Sequence, residues 1–357
     1  MSNRTTPPRR LIGGPDPARM SRRDFLRLGA ATAFGMALPS PLHSGPFAWS
    51  ATDGQLGRVL LDGAQIRREP SVESAQVDIL AFDDVVRVGR AVVGEDVLAT
   101  NRVWYEIPDR GFVHSAWVQP VRNDPQTPRY SVSPRGLLTE VSTPFVDAFA
   151  EPDDESDRLY RLYFETTHWI TGVEIDIRGR RWYRIEDDRV RFDYFALGTA
   201  FRPILVSELT PIAPTVAPDE KRIEVSLGGQ WVRCFEGAHQ VFTAKVSTGM
   251  ALADGSFFTP EGKFETVRKR ASRHMAAGDH INGYDLPGVP WVAYFTQDGI
   301  AFHGTYWHNE FGAARSHGCV NLATASAKWI FRWTMPVVPP DKVDLLAERG
   351  TQVVIFR

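Results

Sequence analysis

Between about Gly57 and Ile212 the chain states one pattern twice, and that duplication limits the folds open to it more than any other feature. Glu69-Pro70-Ser71-Val72-Glu73-Ser74 is matched by Glu151-Pro152-Asp153-Asp154-Glu155-Ser156, and Val103-Trp104-Tyr105-Glu106-Ile107 by Arg181-Trp182-Tyr183-Arg184-Ile185. Each Trp-Tyr segment runs into a charged turn, Pro108-Asp109-Arg110-Gly111 or Glu186-Asp187-Asp188-Arg189. A second aromatic strand follows, Phe112 to Trp117 or Phe192 to Ala196, and then a similar exit, Val118-Gln119-Pro120-Val121 or Phe201-Arg202-Pro203-Ile204. Short β-branched and aromatic segments separated by tight turns predict small β units rather than helices.

These units resemble bacterial SH3-like domains, the first copy more closely than the second. The resemblance implies two small barrels with Trp104, Tyr105, Trp182 and Tyr183 in their cores. It also implies a glycan or peptide contact, by analogy alone. Proline-rich breaks at Asn123 to Ser133 and Pro211 to Pro218 mark the joints. The expected division is an export segment with linker at 1–50, β units at 51–122 and 134–213, and a last domain at 219–357. The fold class is therefore mainly β: two small SH3-like barrels followed by a β-rich domain with one main helix.

The first fifty residues hold seven Arg and two acids, and Ser21-Arg22-Arg23-Asp24-Phe25-Leu26 leads into the weakly apolar stretch Leu28 to Leu42. A basic segment followed by such a stretch predicts an export signal, and the paired arginines resemble the twin-arginine type. The expected location is the cell envelope. The remainder is mildly acidic, with no basic stripe interleaved with aromatics, which argues against a nucleic-acid partner.

From Lys221 onward the pattern predicts strands: Arg222 to Leu227 turning at Gly228-Gly229 into Trp231 to Phe235, a third at Val241 to Ser247, and a closing strand at Thr351 to Arg357. Val289 to Phe295 and Gly299 to His303 form an expected hairpin that delivers His303 at its end. Ala325 to Met335 is the one expected helix, with Thr324 as its cap and Pro336 beyond it.

Only two cysteines occur, and Cys319 lies in Ser316-His317-Gly318-Cys319-Val320-Asn321, after His303-Gly304-Thr305. A thiol at its ordinary pKa of ~8.5 is mostly protonated at neutral pH and needs a base. His303, arriving from another strand, can reach the sulfur across a cleft, whereas His317 sits on the same turn as the cysteine. Gly318 permits a tight turn that aims the N–H groups of Gly318 and Cys319 into one concavity, where donors stabilise an oxyanion. The Gly304 carbonyl is placed to fix the His303 tautomer. Acyl transfer through a thioester is the chemistry these parts serve.

That run resembles the signature of the L,D-transpeptidases, the YkuD-type catalytic domain, over about residues 220–357. Ser247-Thr248-Gly249 and Thr259-Pro260-Glu261-Gly262 are its supporting pieces. The resemblance implies that Cys319 is the nucleophile, His303 the base, Gly304 the orienting carbonyl, and His317, Gly318 and Cys319 the oxyanion turn. It implies peptidoglycan stem peptides as the partner, attacked between an L-centre and a D-residue, with no cofactor and no metal. Ser316, Asn321, Tyr306 and Arg315 are the expected substrate-binding residues. Residues 268–288, with Arg268, Lys269, Arg270, Arg273, His274 and His280, are expected on a basic loop near the cleft.

Other readings compete with this one. Cys319 paired with Cys234 leaves the His-Gly pieces without a purpose. A metal site of His303, His308, His317 and Cys319 has ligands closer in sequence than is common. A non-catalytic wall-binding protein leaves all the filled catalytic positions unexplained. Hydrolysis by an L,D-carboxypeptidase or endopeptidase shares the acyl-enzyme, and the motif does not separate it from transfer.

Overall fold

The computed structural model describes residues 55–95, 100–190, 192–253, 255–278 and 283–357. The expected export signal and His280 lie outside the described residues. The described chain is mainly β, with a single α-helix among the described residues, Thr324–Trp333.

The Trp-Tyr strands, Val103–Ile107 and Arg181–Glu186, are the pivots of the front half. Trp104, Tyr105, Trp182 and Tyr183 are all buried. Each pivot pairs with an antiparallel neighbour, Gly111–His114 or Tyr194–Leu197. Each neighbour then enters one 3-10 turn, Ser115–Trp117 or Gly198–Ala200, before its exit strand, Val118–Val121 or Phe201–Pro203. The expected continuous strand Phe112 to Trp117 is thus broken after His114, whose Nδ1 accepts the Ala116 N–H at 3.3 Å and caps the turn. The units close differently. The first divides its strands between a three-stranded and a five-stranded sheet, while the second holds seven strands in one sheet. Each has its own core, one around Val59, Ile66, Tyr105 and Val113, the other around Leu162, Ile170, Tyr183 and Phe201.

The last third is two five-stranded sheets around one core. The first sheet runs His239–Lys245, Trp231–Glu236, Lys221–Ser226, Gln352–Phe356, Gly262–Glu265. Its closing strand lies parallel to Lys221–Ser226. The second sheet runs Val320–Leu322, Ala301–Gly304, Tyr284–Tyr294, Arg268–Ala277, Leu345–Leu346. Ile223, Val225, Trp291, Phe302, Val320 and Ile330 meet between them. The helix turns Ile330, Phe331 and Trp333 inward. Ala323, not Thr324, occupies its cap, and Thr324 is its first residue.

Two buried lysines finish the helix. Lys269 Nζ donates to the carbonyls of Phe331, Thr334 (2.9 Å) and Pro336 (2.7 Å), and Lys221 Nζ to those of Ile212 (3.1 Å) and Trp333 (2.9 Å). Carbonyls at a helix C-terminus lack intrahelical donors and carry partial negative charge, so an ammonium there satisfies both. Lys269 is therefore a structural donor at the helix end rather than a cleft residue.

The basic segment is not a loop. Arg268–Ala277 and Tyr284–Tyr294 form a long antiparallel hairpin, and its charges are consumed by partners. Arg268 pairs with Asp344, Arg270 and Arg273 with Asp188, and His274 with Asp187 and Asp285. Asp187 and Asp188 come from the turn of the second β unit, so these pairs dock that unit onto the last domain. Close packing supports the seam. A Cβ on Gly288, whose φ is +72°, would lie 2.3 Å from the His168 ring.

Candidate active site

The site is assembled where two strands lie side by side in parallel. Val320–Leu322 pairs with Ala301–Gly304 in the register Phe302 with Val320 and His303 with Asn321. Cys319, one residue before its strand, therefore lies beside the strand that carries His303. Both side chains line one cavity of about 240 Å³. Gly304 is needed as glycine here, because a Cβ would meet Pro290 at 2.8 Å and the Thr324 backbone at 3.2 Å.

His303 is buried and donates from Nδ1 to the Gly304 carbonyl at 3.0 Å, the tautomer assigned from that contact. Its Nε2 is left as the basic nitrogen. Burial pushes its imidazolium down to about 4, with the Gly304 carbonyl opposing. Cys319 is half-buried, Cys234 is buried in the core, and both are free thiols. Burial pushes the Cys319 thiol up to about 11, the Ala301 N–H facing the sulfur lowers it, and the Asp298 carboxylate adds to the rise. In the resting site the thiol turns toward the Gly299 carbonyl at 4.0 Å. Both shifts favour the neutral thiol and the neutral imidazole over a thiolate and an imidazolium.

The turn before the cysteine is tightly braced. Gly318 has φ +136°, open to glycine and costly for other residues. Its N–H donates to Ser316 Oγ at 3.0 Å, while the Ser316 hydroxyl donates to the Cys319 carbonyl. The Gly318 N–H is thus engaged within the turn of the resting site. Thr259 Oγ1 donates to the Gly318 carbonyl at 2.6 Å and accepts from the Gly249 N–H at 2.7 Å. The two supporting sequence pieces thus meet directly behind the cysteine turn.

The other sequence-derived residues divide. Ser316, His317 and Asn321 line the cavity. His317 stacks on Tyr284 with ring centroids 5.7 Å apart, and burial lowers its pKa. Asn321 Nδ2 bonds His308 Nε2 at 3.0 Å, and its buried Oδ1 has no hydrogen-bond partner. Tyr306 also lines the cavity, but its ring is packed against Tyr163 and its hydroxyl reaches the Pro287 carbonyl at 3.3 Å. Arg315 is not among the lining residues. It pairs with Glu310, and burial lowers its pKa to about 10. Three or more metal-ligating side chains grouped to hold an ion do not occur among the described residues.

The front half contributes walls that the sequence did not announce. Arg58, Leu60 and Phe82 of the first unit and Tyr163 of the second line the cavity. Arg58 is 1% exposed and joins all three parts. It pairs with Asp83 at 2.8 Å, lies over the Tyr163 ring at 4.0 Å, and donates to the Tyr306 carbonyl at 2.6 Å. No sequence signal marked these residues, since their proximity to Cys319 is a matter of docking. Asp298-Gly299, the turn of the hairpin that leads to His303, is the one local signal on this side of the cavity.

Residues 220–355 match the family model described as the L,D-transpeptidase catalytic domain, YkuD. Similar solved structures include an L,D-transpeptidase from Enterococcus faecium, with 22% identity over 39% of this chain and 50% of that one at a TM-score of 0.31. One from Stackebrandtia nassauensis has 24% identity over 40% and 57% at 0.28. One from Mycobacterium smegmatis has 16% identity over 51% and 79% at 0.31. The chain spans about half the length of the first of these. No curated protein matches the chain.

Proposed function

We propose that this protein is an exported peptidoglycan L,D-transpeptidase that cross-links stem peptides through a Cys319 thioester. The observation that carries this reading is the register of the two parallel strands. It puts a tautomer-fixed His303 and the Cys319 turn into one cavity. The match of residues 220–355 supports it.

In this reading His303 Nε2 takes the Cys319 proton as the sulfur attacks the stem carbonyl, since neither partner is charged at rest. The tetrahedral oxyanion is held by the Cys319 N–H. Collapse breaks the C–N bond to the D-residue, and His303 returns the proton to the departing amine. An amine of a second stem then attacks the thioester, giving a cross-link and the free thiol. The two β units, read as SH3-like, belong to the same envelope address, and the Arg22-Arg23 segment supplies the export route.

The test is to incubate the mature protein with a defined tetrapeptide stem and follow intact mass. A Cys319-dependent acyl adduct with loss of the terminal D-residue is expected. Absence of any adduct in the parent protein, with Cys319 alkylatable, would sink the reading.

A further inference from the structure

The apolar side of the cavity is held in place with unusual care. Phe82 lies on the turn Ala81 to Asp84, where the Asp84 N–H bonds the Ala81 carbonyl at 3.2 Å and the Asp84 carboxylate takes the Ala81 N–H at 2.9 Å. Asp83, at φ +67°, is anchored by Arg58 at 2.8 Å, Arg161 at 3.2 Å and the Tyr163 hydroxyl at 3.2 Å. Asp tolerates this left-handed conformation better than most residues. The ring that this turn presents is 42% exposed and, with buried Leu60, lines the cavity.

The charges in the cavity are unbalanced in one direction. Arg58, the one guanidinium in the lining, is already paired with Asp83. Asp298, the one carboxylate in the lining, is exposed and has no ion-pair partner among the described residues. It precedes Gly299, whose carbonyl faces the Cys319 sulfur. An apolar wall beside an exposed, unpaired carboxylate fits an ammonium carried on an aliphatic arm.

We propose that Leu60, Phe82 and Asp298 form the subsite for the attacking amine, so that the first β unit is a working wall of the active site. This rests on the acyl-transfer reading of Cys319. The methylenes of the acceptor lie against Phe82 and Leu60, and Asp298 draws the ammonium to the thioester. The bound ammonium first loses one proton to solvent. The amine lone pair then forms the C–N bond as the C–S bond breaks. The second proton passes through His303 Nε2 to the leaving sulfur, leaving an amide and the Cys319 thiol.

The experiment measures the ratio of amide product to hydrolysed product in the full chain, using a defined tetrapeptide stem as donor and free lysine as the amine acceptor. Both products come from one acyl-enzyme, so loss of folded protein cancels from the ratio. Asp298→Asn is expected to lower the ratio about fivefold and Phe82→Ala about tenfold, with Asp298→Glu restoring part of the loss. With hydroxylamine, a small uncharged nucleophile, Asp298→Asn is expected to leave the ratio within about twofold. An unchanged lysine ratio in both variants overturns the proposal. So does an equal fall with lysine and hydroxylamine in Asp298→Asn. If the parent forms no acyl-enzyme, it is the acyl-transfer reading itself that has failed.

Discussion

His303 and His274 stand in the same sheet, two strands apart, and each is 2% exposed, yet their electrostatics run in opposite directions. His303 has a backbone carbonyl as its polar partner, and burial drives its pKa down to about 4. His274 is just as hidden, but Asp187 lies on Nδ1 at 2.8 Å and Asp285 on Nε2. Burial still lowers its pKa, and the two carboxylates more than offset it, so the net direction is upward. With similar surface exposure, the cleft imidazole is thus shifted toward its neutral form and the seam imidazole toward its cationic form. Partners, not depth, decide the charge of a buried imidazole.

The largest effects should come from the cleft. Cys319→Ala is expected to abolish acyl adducts in intact-mass analysis, and His303→Gln to slow acylation by about 10³-fold. His274→Gln should leave the acylation rate within about twofold. A comparable loss at both histidines would erase the distinction drawn between them.

Arg58 tests whether the seam extends to the cleft wall. Arg58→Met removes a buried guanidinium that joins Asp83, Gln119 and the Tyr306 carbonyl. It should destabilise the protein by about 3 kcal/mol, read from denaturant unfolding of the full chain. A change under about 0.5 kcal/mol would mean that the three parts are not held together there.

A neutral thiol and a neutral imidazole also predict a particular pH dependence. With the thiol pushed up to about 11, alkylation of Cys319 by iodoacetamide should rise about tenfold per pH unit from neutrality toward that value. Acylation that uses His303 as base should instead hold level and fall only as pH drops toward about 4, where His303 protonates. Alkylation that is flat through neutral pH would point to a thiolate–imidazolium pair instead.

The smallest effect belongs to the seam imidazole. The pKa of His274 is raised on folding, so its stabilisation is fully present below the unfolded value of ~6.5 and is lost as pH rises through the folded value. The Tm difference between the parent and His274→Gln should therefore shrink between pH 6 and 9, by ~2 °C. A difference that grows over that interval would contradict a charged His274.

Much of the site was legible because it is local. The His-Gly and Ser-His-Gly-Cys runs, the hairpin that ends at His303 and the two bracing pieces all act through short stretches of chain. The basic segment misled because Arg268 to His274 reads as exposed charge, and nothing in the sequence indicates that Asp187, Asp188 and Asp344 wait opposite. The bond from the Gly318 N–H to the Ser316 hydroxyl was hidden for a similar reason, since it depends on how a turn of three residues folds back.

The sequence by itself determined the strand pattern, the doubled Trp-Tyr units and the residue types of a thiol and its base, because periodicity and motif spacing are properties of neighbouring residues. Tertiary structure alone decided which charges cancel, which histidine stays neutral, and that Phe82 of the first unit stands in the same cavity as Cys319. The cancelling charges of the basic segment come from positions up to 87 apart, and Phe82 and Cys319 are more than two hundred apart, so both depend on how the elements pack.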